Sequence, residues 1–137
     1  MKKAIIILCA AILFFACNTQ DKDQRPSTAL DTGREFIRAS LNGDFKKATP
    51  LLLQDPENTQ LFESYKTWYN RLPAEQKAGY KQAEYTINKY LDVDDSTTII
   101  NFSNSYMKKP MDIKIVRRDK LWQVDFKYAN SGNLPID

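Results

Sequence analysis

The absence of histidine sets the limits of the chemistry open to this chain. Imidazole is lost as a metal ligand, as a general base near neutral pH and as the middle member of a nucleophilic triad. With Cys9 and Cys17 as the two cysteines, a zinc site built from His and Cys is excluded as well. The residue types therefore call for no metal and no cofactor. Carboxylates and phenols remain. General acid–base work would fall to Glu35, Glu63, Asp112 or Asp125, each of which would have to stand within hydrogen-bond distance of a substrate. The seven tyrosines supply hydroxyls that need partners when buried. A phenol titrating near 10, however, is a poor base at neutral pH.

The cysteines point to a different chemistry. Met1-Lys2-Lys3 precedes an unbroken apolar run from Ala4 to Ala16, followed by Cys17 and the polar Asn18-Thr19-Gln20. A short positive end, an apolar stretch and a small residue before the cut describe a secretory signal. The run falls short of the roughly 18 apolar residues that a membrane-spanning helix needs. Ending on Phe14-Phe15-Ala16-Cys17, the segment resembles a bacterial lipoprotein signal, with Phe14 where that family more often has leucine. The resemblance implies cleavage before Cys17 and acylation of its sulfur and amino group. It places the mature protein outside the cytoplasm, lipid-anchored to the bacterial cell envelope and on the outer membrane in preference to the inner. Each buried methylene contributes about 0.8 kcal/mol, and more than one acyl chain makes attachment effectively stable.

Loss of Lys2 and Lys3 with the signal leaves 18 cationic against 17 acidic residues, a net charge of +1 rather than +3. No basic run suggests a nucleic-acid partner. Residues 1–16 read as the signal and 17–27 as a flexible tether, without a large apolar side chain after Cys17. Residues 28–130 are long enough for one domain, and 131–137 form a tail. With Cys9 removed and Cys17 acylated, that domain has no disulfide and relies on packing.

The order of elements follows from the period of the apolar residues. A helix begins at Ser27 or Thr28 as cap, carries Leu30, Phe36, Ile37 and Leu41 on one stripe, and stops at Asn42-Gly43. Asp44 caps a second, short helix through Phe45, Ala48 and Leu51 to Leu53, with a bend at Pro50. A third helix follows Asp55-Pro56 and turns Leu61, Phe62, Tyr65, Trp68, Tyr69 and Leu72 inward. Pro73-Ala74-Glu75 opens a further turn or two as far as Tyr80. From Glu84 the period changes to 2. Strands run over 84–93, 97–106 and 111–115, and a fourth from Leu121 to Tyr128 has the cleanest alternation. Short turns between them predict an antiparallel meander with one apolar face, which the helices cover. The fold class is α+β, with N-terminal helices packed on a four-stranded antiparallel sheet.

These segments resemble the nuclear transport factor two-like, or cystatin-like, superfamily. Phe36-Ile37-Arg38-Ala39-Ser40-Leu41-Asn42-Gly43-Asp44-Phe45-Lys46-Lys47-Ala48 is similar to its opening helix pair, and Leu121-Trp122-Gln123-Val124-Asp125 to its last strand. The likeness spans roughly Ala29 to Tyr128 and looks closest to small exported Bacteroidetes lipoproteins of unassigned function. It implies a curved sheet wrapped around a long helix, forming a cone able to hold a pocket. Enzymes of that superfamily, ketosteroid isomerase among them, place carboxylates or tyrosines inside the pocket.

Alternation assigns the side chains of that pocket. Tyr85, Ile87, Leu91, Ile100, Phe102, Tyr106, Met111, Ile113, Ile115, Trp122, Val124, Phe126 and Tyr128 fall on the inner face, with Lys89 and Asn104 breaking the pattern. Glu84, Asn88, Asp92, Asn101, Ser103, Asp112, Lys114, Gln123, Asp125 and Lys127 fall on the outer face. Glu35 and Glu63 lie opposite their helices' apolar stripes. No acid then reaches the interior, which weighs against an enzyme; Asp112 or Asp125 turned under the helices would reverse that. Trp68, Tyr85, Tyr106, Trp122 and Tyr128 are the candidate pocket lining, against a plain core reading of the same rings. Lys108-Lys109 and Arg117-Arg118 are candidates for a basic rim facing anionic headgroups, or solvated turn residues. Asp95-Ser96-Thr97 matches a short O-glycosylation pattern of exported Bacteroidetes proteins, with Ser96 as acceptor. The expected function is a lipid-anchored binding or accessory module holding a small apolar ligand or an envelope partner protein. An isomerase- or dehydratase-like enzyme and a structural envelope lipoprotein without ligand are the alternatives.

Overall fold

The capping signals set where the helices start and stop. The computed structural model describes residues 25–130; Cys17, the signal and tether up to residue 24 and the tail at 131–137 lie outside the described residues. Helix α1, Ala29–Asn42, opens where Thr28 Oγ1 accepts from Asp31 N at 3.1 Å. It closes at Gly43, whose φ of 69° is left-handed backbone that favours glycine. Asp44 caps α2, Phe45–Ala48, and Pro50 sits inside a 3₁₀ turn, Thr49–Leu51. The helix expected as far as Leu53 therefore tightens and ends early. Leu52 and Leu53 are extended instead and run along the edge of the sheet, where Leu53 N donates to Val124 O at 2.9 Å. Asp55 caps α3, Pro56–Arg71, and Pro73 precedes α4, Ala74–Gln82. Arg38 of α1 ties down the end of α4 by donating to Ala83 O at 2.7 Å, one of the carbonyls a helix end leaves unpaired.

Four strands follow: β1, Tyr85–Asp94; β2, Thr97–Asn104; β3, Met111–Arg118; and β4, Leu121–Asp125. They pair antiparallel in the order β1-β2-β3-β4, so the chain is α+β. Ile100, Phe102, Ile113, Ile115 and Val124 pack against Phe36, Ile37 and Leu41 of α1 and Phe62 of α3. Gly33 lets α1 approach closely, since a Cβ there would lie 2.5 Å from Ile100 Cδ1.

Strict alternation fails in two places. Register shifts between Ile87 and Lys89 and between Asp92 and Asp94 put bulges into β1. Tyr85 and Ile87 still face inward, but beyond the first bulge the parity inverts. Leu91 then lies opposite Ile99 on the outer face, and Leu91 and Val93 are 48% and 54% exposed rather than buried. Asp92, expected outward, takes the inner position beside Thr98, whose hydroxyl donates to its carboxylate at 2.7 Å.

The second failure is at β4. It ends at Asp125, and Phe126–Asn130 forms a short helix, α5, so Tyr128 is helical. Gln123 and Asp125 keep their outer-face parity, Asp125 standing opposite Lys114, yet both are buried. The segment from Leu52 to Asn58 covers that edge, with Gln123 Nε2 donating to Leu52 O at 3.4 Å and Asn58 Nδ2 to Asp125 Oδ1 at 3.3 Å. Alternation reported the face correctly. It could not report that a distant loop would cover it.

Candidate functional site

Between α1 and the inner face lies a cavity of about 270 Å³. Helix α1 contributes Phe36, Ile37, Ser40 and Leu41; α3 contributes Tyr65 and Trp68, and α4 contributes Tyr80. Phe102 and Asn104 come from β2, Met107 from the following turn, Met111 and Ile113 from β3, and Phe126 and Ala129 from α5. Among the described residues the wall holds no Asp, Glu, Lys or Arg. Trp68 and Met107, 46% and 43% exposed, mark its mouth.

Aromatic packing builds the walls. Tyr65 lies against Trp68, Phe62 and Phe126 at centroid distances of 5.6, 5.8 and 5.7 Å. Tyr80 meets Trp68 at 6.0 Å and, edge-on, Tyr106 at 4.8 Å. Such tilted and edge geometries add to the area each ring buries. Burial pushes the Tyr65 phenol well above its ordinary value, reinforced by the neighbouring Tyr69 and Tyr80 phenols. Burial also raises Tyr69 and Tyr80. Both wall phenols, Tyr65 and Tyr80, therefore stay neutral across the physiological range. The site presents rings, two thioethers and a few uncharged polar atoms. That composition can hold an uncharged molecule but offers no proton acceptor at neutral pH.

Two of the polar wall groups have bonding capacity to spare. Asn104 is buried, and its Oδ1 accepts from Tyr106 N at 3.1 Å and Met107 N at 2.8 Å. Two backbone donors on one oxygen fix which end of the amide is oxygen, so Nδ2 and its two protons point elsewhere. The Ser40 hydroxyl oxygen is shielded from water and has no hydrogen-bond partner.

Of the five rings singled out from sequence, Trp68 lines the cavity and Tyr85, Tyr106, Trp122 and Tyr128 do not. Tyr85 and Trp122 are half-buried against the core, as the plain core reading has it, and they and Tyr128 each have a cation over one face. Arg38 sits over Tyr85 at 5.4 Å, Arg117 over Trp122 at 5.8 Å and Lys114 over Tyr128 at 5.8 Å. Tyr106 belongs to the β2–β3 turn, largely exposed, and reaches the site only through Tyr80. Ser40, Tyr80 and Met107 had no place in the sequence-based site. Ser40 had a readable signal, because positions 36, 37, 40 and 41 share one helical stripe. Asn104 was legible as a polar residue at an inward position of β2.

Other candidates fall outside the cavity. Asp125 is buried, but among Asn58, Lys114 and the start of α3. Asp112 is half-buried on the outer face and accepts from Asn101 Nδ2 at 2.6 Å. Glu35 and Glu63 are exposed. Lys108-Lys109 and Arg117-Arg118 occupy opposite ends of β3, whose eight residues span roughly 25 Å, so they form no single rim. Ser96 is exposed at the β1–β2 turn, with its hydroxyl bonded to Asp94 Oδ1 at 2.9 Å. Among the described residues no group of three or more His, Cys, Asp and Glu could hold a metal ion. None of the described helices is long and apolar enough to cross a membrane. No protein-family model matches the chain, and no curated protein matches it either.

Proposed function

We propose that this chain is a lipid-anchored extracytoplasmic binding module whose cavity holds a small, uncharged, apolar ligand. The observation that carries the reading is the cavity wall: about 270 Å³ lined by rings, aliphatic groups and methionines, without one charged side chain among the described residues. Ligand sites are typically apolar concavities with a few placed polar groups, and this one matches that composition at a volume just under their usual range. The three-part N-terminal segment ending at Cys17 supports the anchor. Helices followed by a four-stranded antiparallel meander, with a cavity between them, support kinship with the cone-shaped nuclear transport factor two-like proteins.

Binding is favoured over catalysis because the buried acid, Asp125, stands on the outer face of β4 in a saturated polar network. 1-Naphthylamine, a two-ring amine that is neutral at physiological pH and whose emission moves to shorter wavelength in apolar surroundings, tests the reading. The protein should shift its emission saturably, and its melting temperature should rise with probe concentration. Neither change, at probe concentrations up to its solubility limit, would leave a filled structural lipoprotein as the better account. The anchor has its own test. Cys17→Ser should abolish incorporation of labelled fatty acid, and retained labelling would refute acylation at Cys17.

A further inference from the structure

Saturated and unsaturated polar groups tell a structural asparagine from a recognising one. Inside the cavity the apolar wall is interrupted by Asn104, with its oxygen committed to the turn, and by Ser40, with its hydroxyl committed to nothing. A hydrocarbon guest strips water from the Asn104 amide donors and leaves them unpaired, which costs free energy, whereas the Ser40 hydroxyl is shielded from water already. A guest that brings its own oxygen avoids that cost. We infer that the cavity selects a neutral one- or two-ring molecule carrying a single hydroxyl or carbonyl oxygen. Asn104 Nδ2 is the donor to that oxygen, and Ser40 is the second polar determinant of the wall. The inference rests on the cavity being a ligand site, and adds to it which ligands are chosen.

Size limits the guest to a small molecule, since the cavity measures about 270 Å³. Charge is disfavoured by the same wall, since the described lining offers an ion no counter-charge. Both determinants sit on regular elements. Ser40 lies in the last turn of α1, and Asn104 ends β2 with its amide plane held by two backbone donors.

Tetralin and 1-tetralone differ by one carbonyl oxygen, which accepts and cannot donate, so their affinities for the purified protein separate the ligand site from its selectivity. The wild type should bind 1-tetralone at least fivefold more tightly than tetralin. Asn104→Asp, which keeps an oxygen for Tyr106 N and Met107 N but removes the amide donors, should abolish that preference, and Ser40→Ala should shrink it. Circular dichroism and urea titration of each variant serve as the folding control. Tetralin bound as tightly as 1-tetralone by the wild type, or a preference unchanged in Ser40→Ala and Asn104→Asp alike, would overturn the assignment while leaving the cavity as a ligand site. Failure of both compounds to bind would overturn the ligand site itself.

Discussion

Among the described residues two asparagines are buried, and they do opposite things. Asn58, fully enclosed at the start of α3, has every polar atom occupied. Its Nδ2 donates to Asp55 Oδ2 at 2.8 Å and Asp125 Oδ1 at 3.3 Å, and its Oδ1 accepts from Lys127 N at 2.9 Å. Lys127 Nζ lies 3.6 Å from Asp55 and 3.7 Å from Glu57, and Lys114 Nζ lies 3.5 Å from Asp125. This network fastens α3, β4 and α5 together. Asn104 is 4% exposed against 0% for Asn58, and among the described residues its side-chain bonds are the two that its oxygen accepts. A saturated buried polar group is architecture. One with spare valence, set in a cavity wall, is available to a guest.

Breaking the saturated site should therefore cost the most. Asn58→Ala leaves the buried Asp125 carboxylate with the Lys114 ammonium alone and strips the first turn of α5 of its acceptor. Unfolding free energy should fall by about 3 kcal/mol, read by urea titration. A loss under about 1 kcal/mol would mean that water replaces the amide freely and that the network is not structural. Phe126 belongs to both regions, following Asp125 directly and facing Phe62 at 5.2 Å across the cavity wall. Phe126→Ala should cost about 2 kcal/mol, less than a fully enclosed ring because Phe126 is half-buried. It should also enlarge the site, so that N-phenyl-1-naphthylamine binds more tightly than in the wild type.

The contrast between the two asparagines also shows what was readable in the sequence. Caps at Thr28, Asp44 and Asp55, the glycine stop at Gly43 and the change of period after Ala83 are local signals, and the elements they predict are present. Asn104 was visible for the same reason, a polar residue interrupting an apolar alternation. Asn58 was not. Its burial depends on β4 and α5, nearly seventy residues downstream, and no periodicity within α3 carries that information. The same long-range contacts shorten β4 and turn Phe126 and Ala129 toward the cavity while Tyr128 goes under Lys114. Bulges inverted the second half of β1 for a different reason. One extra residue flips every later side chain, and nothing in Asn88-Lys89-Tyr90 announces it.

Acid should probe the saturated site before it touches the unsaturated one. The backbone bond from Asn58 N at 2.8 Å holds the Asp55 carboxyl below the ordinary carboxylate range; burial opposes the shift, and the Asn58 side chain and Lys127 add to it. A group whose pKa is lower folded than unfolded contributes stability above its unfolded pKa, and that contribution is lost as pH falls through the folded value. Stability should thus hold steady from neutral pH and decline below about 4. Asp55→Asn keeps a capping oxygen but removes the titration, so its decline should be shallower by on the order of one proton's slope. Equal slopes in the two proteins would remove Asp55 from the acid response. The described residues of the cavity wall include no carboxylate, so ligand affinity should follow the folded fraction and show no pH dependence of its own.

Ser40→Ala should have the smallest effect on stability and is the most telling about the site. Replacing a hydroxyl that already makes a bond costs about 1 kcal/mol. Here the hydroxyl is enclosed and unpaired, so alanine removes an existing penalty and substitutes a better helix former in the last turn of α1. Stability should stay level or rise by up to about 1 kcal/mol. A loss of that size would instead reveal a bond from Ser40 to the α1 backbone, and would make Ser40 architecture in the manner of Asn58. The contrast would then rest on Asn104 alone.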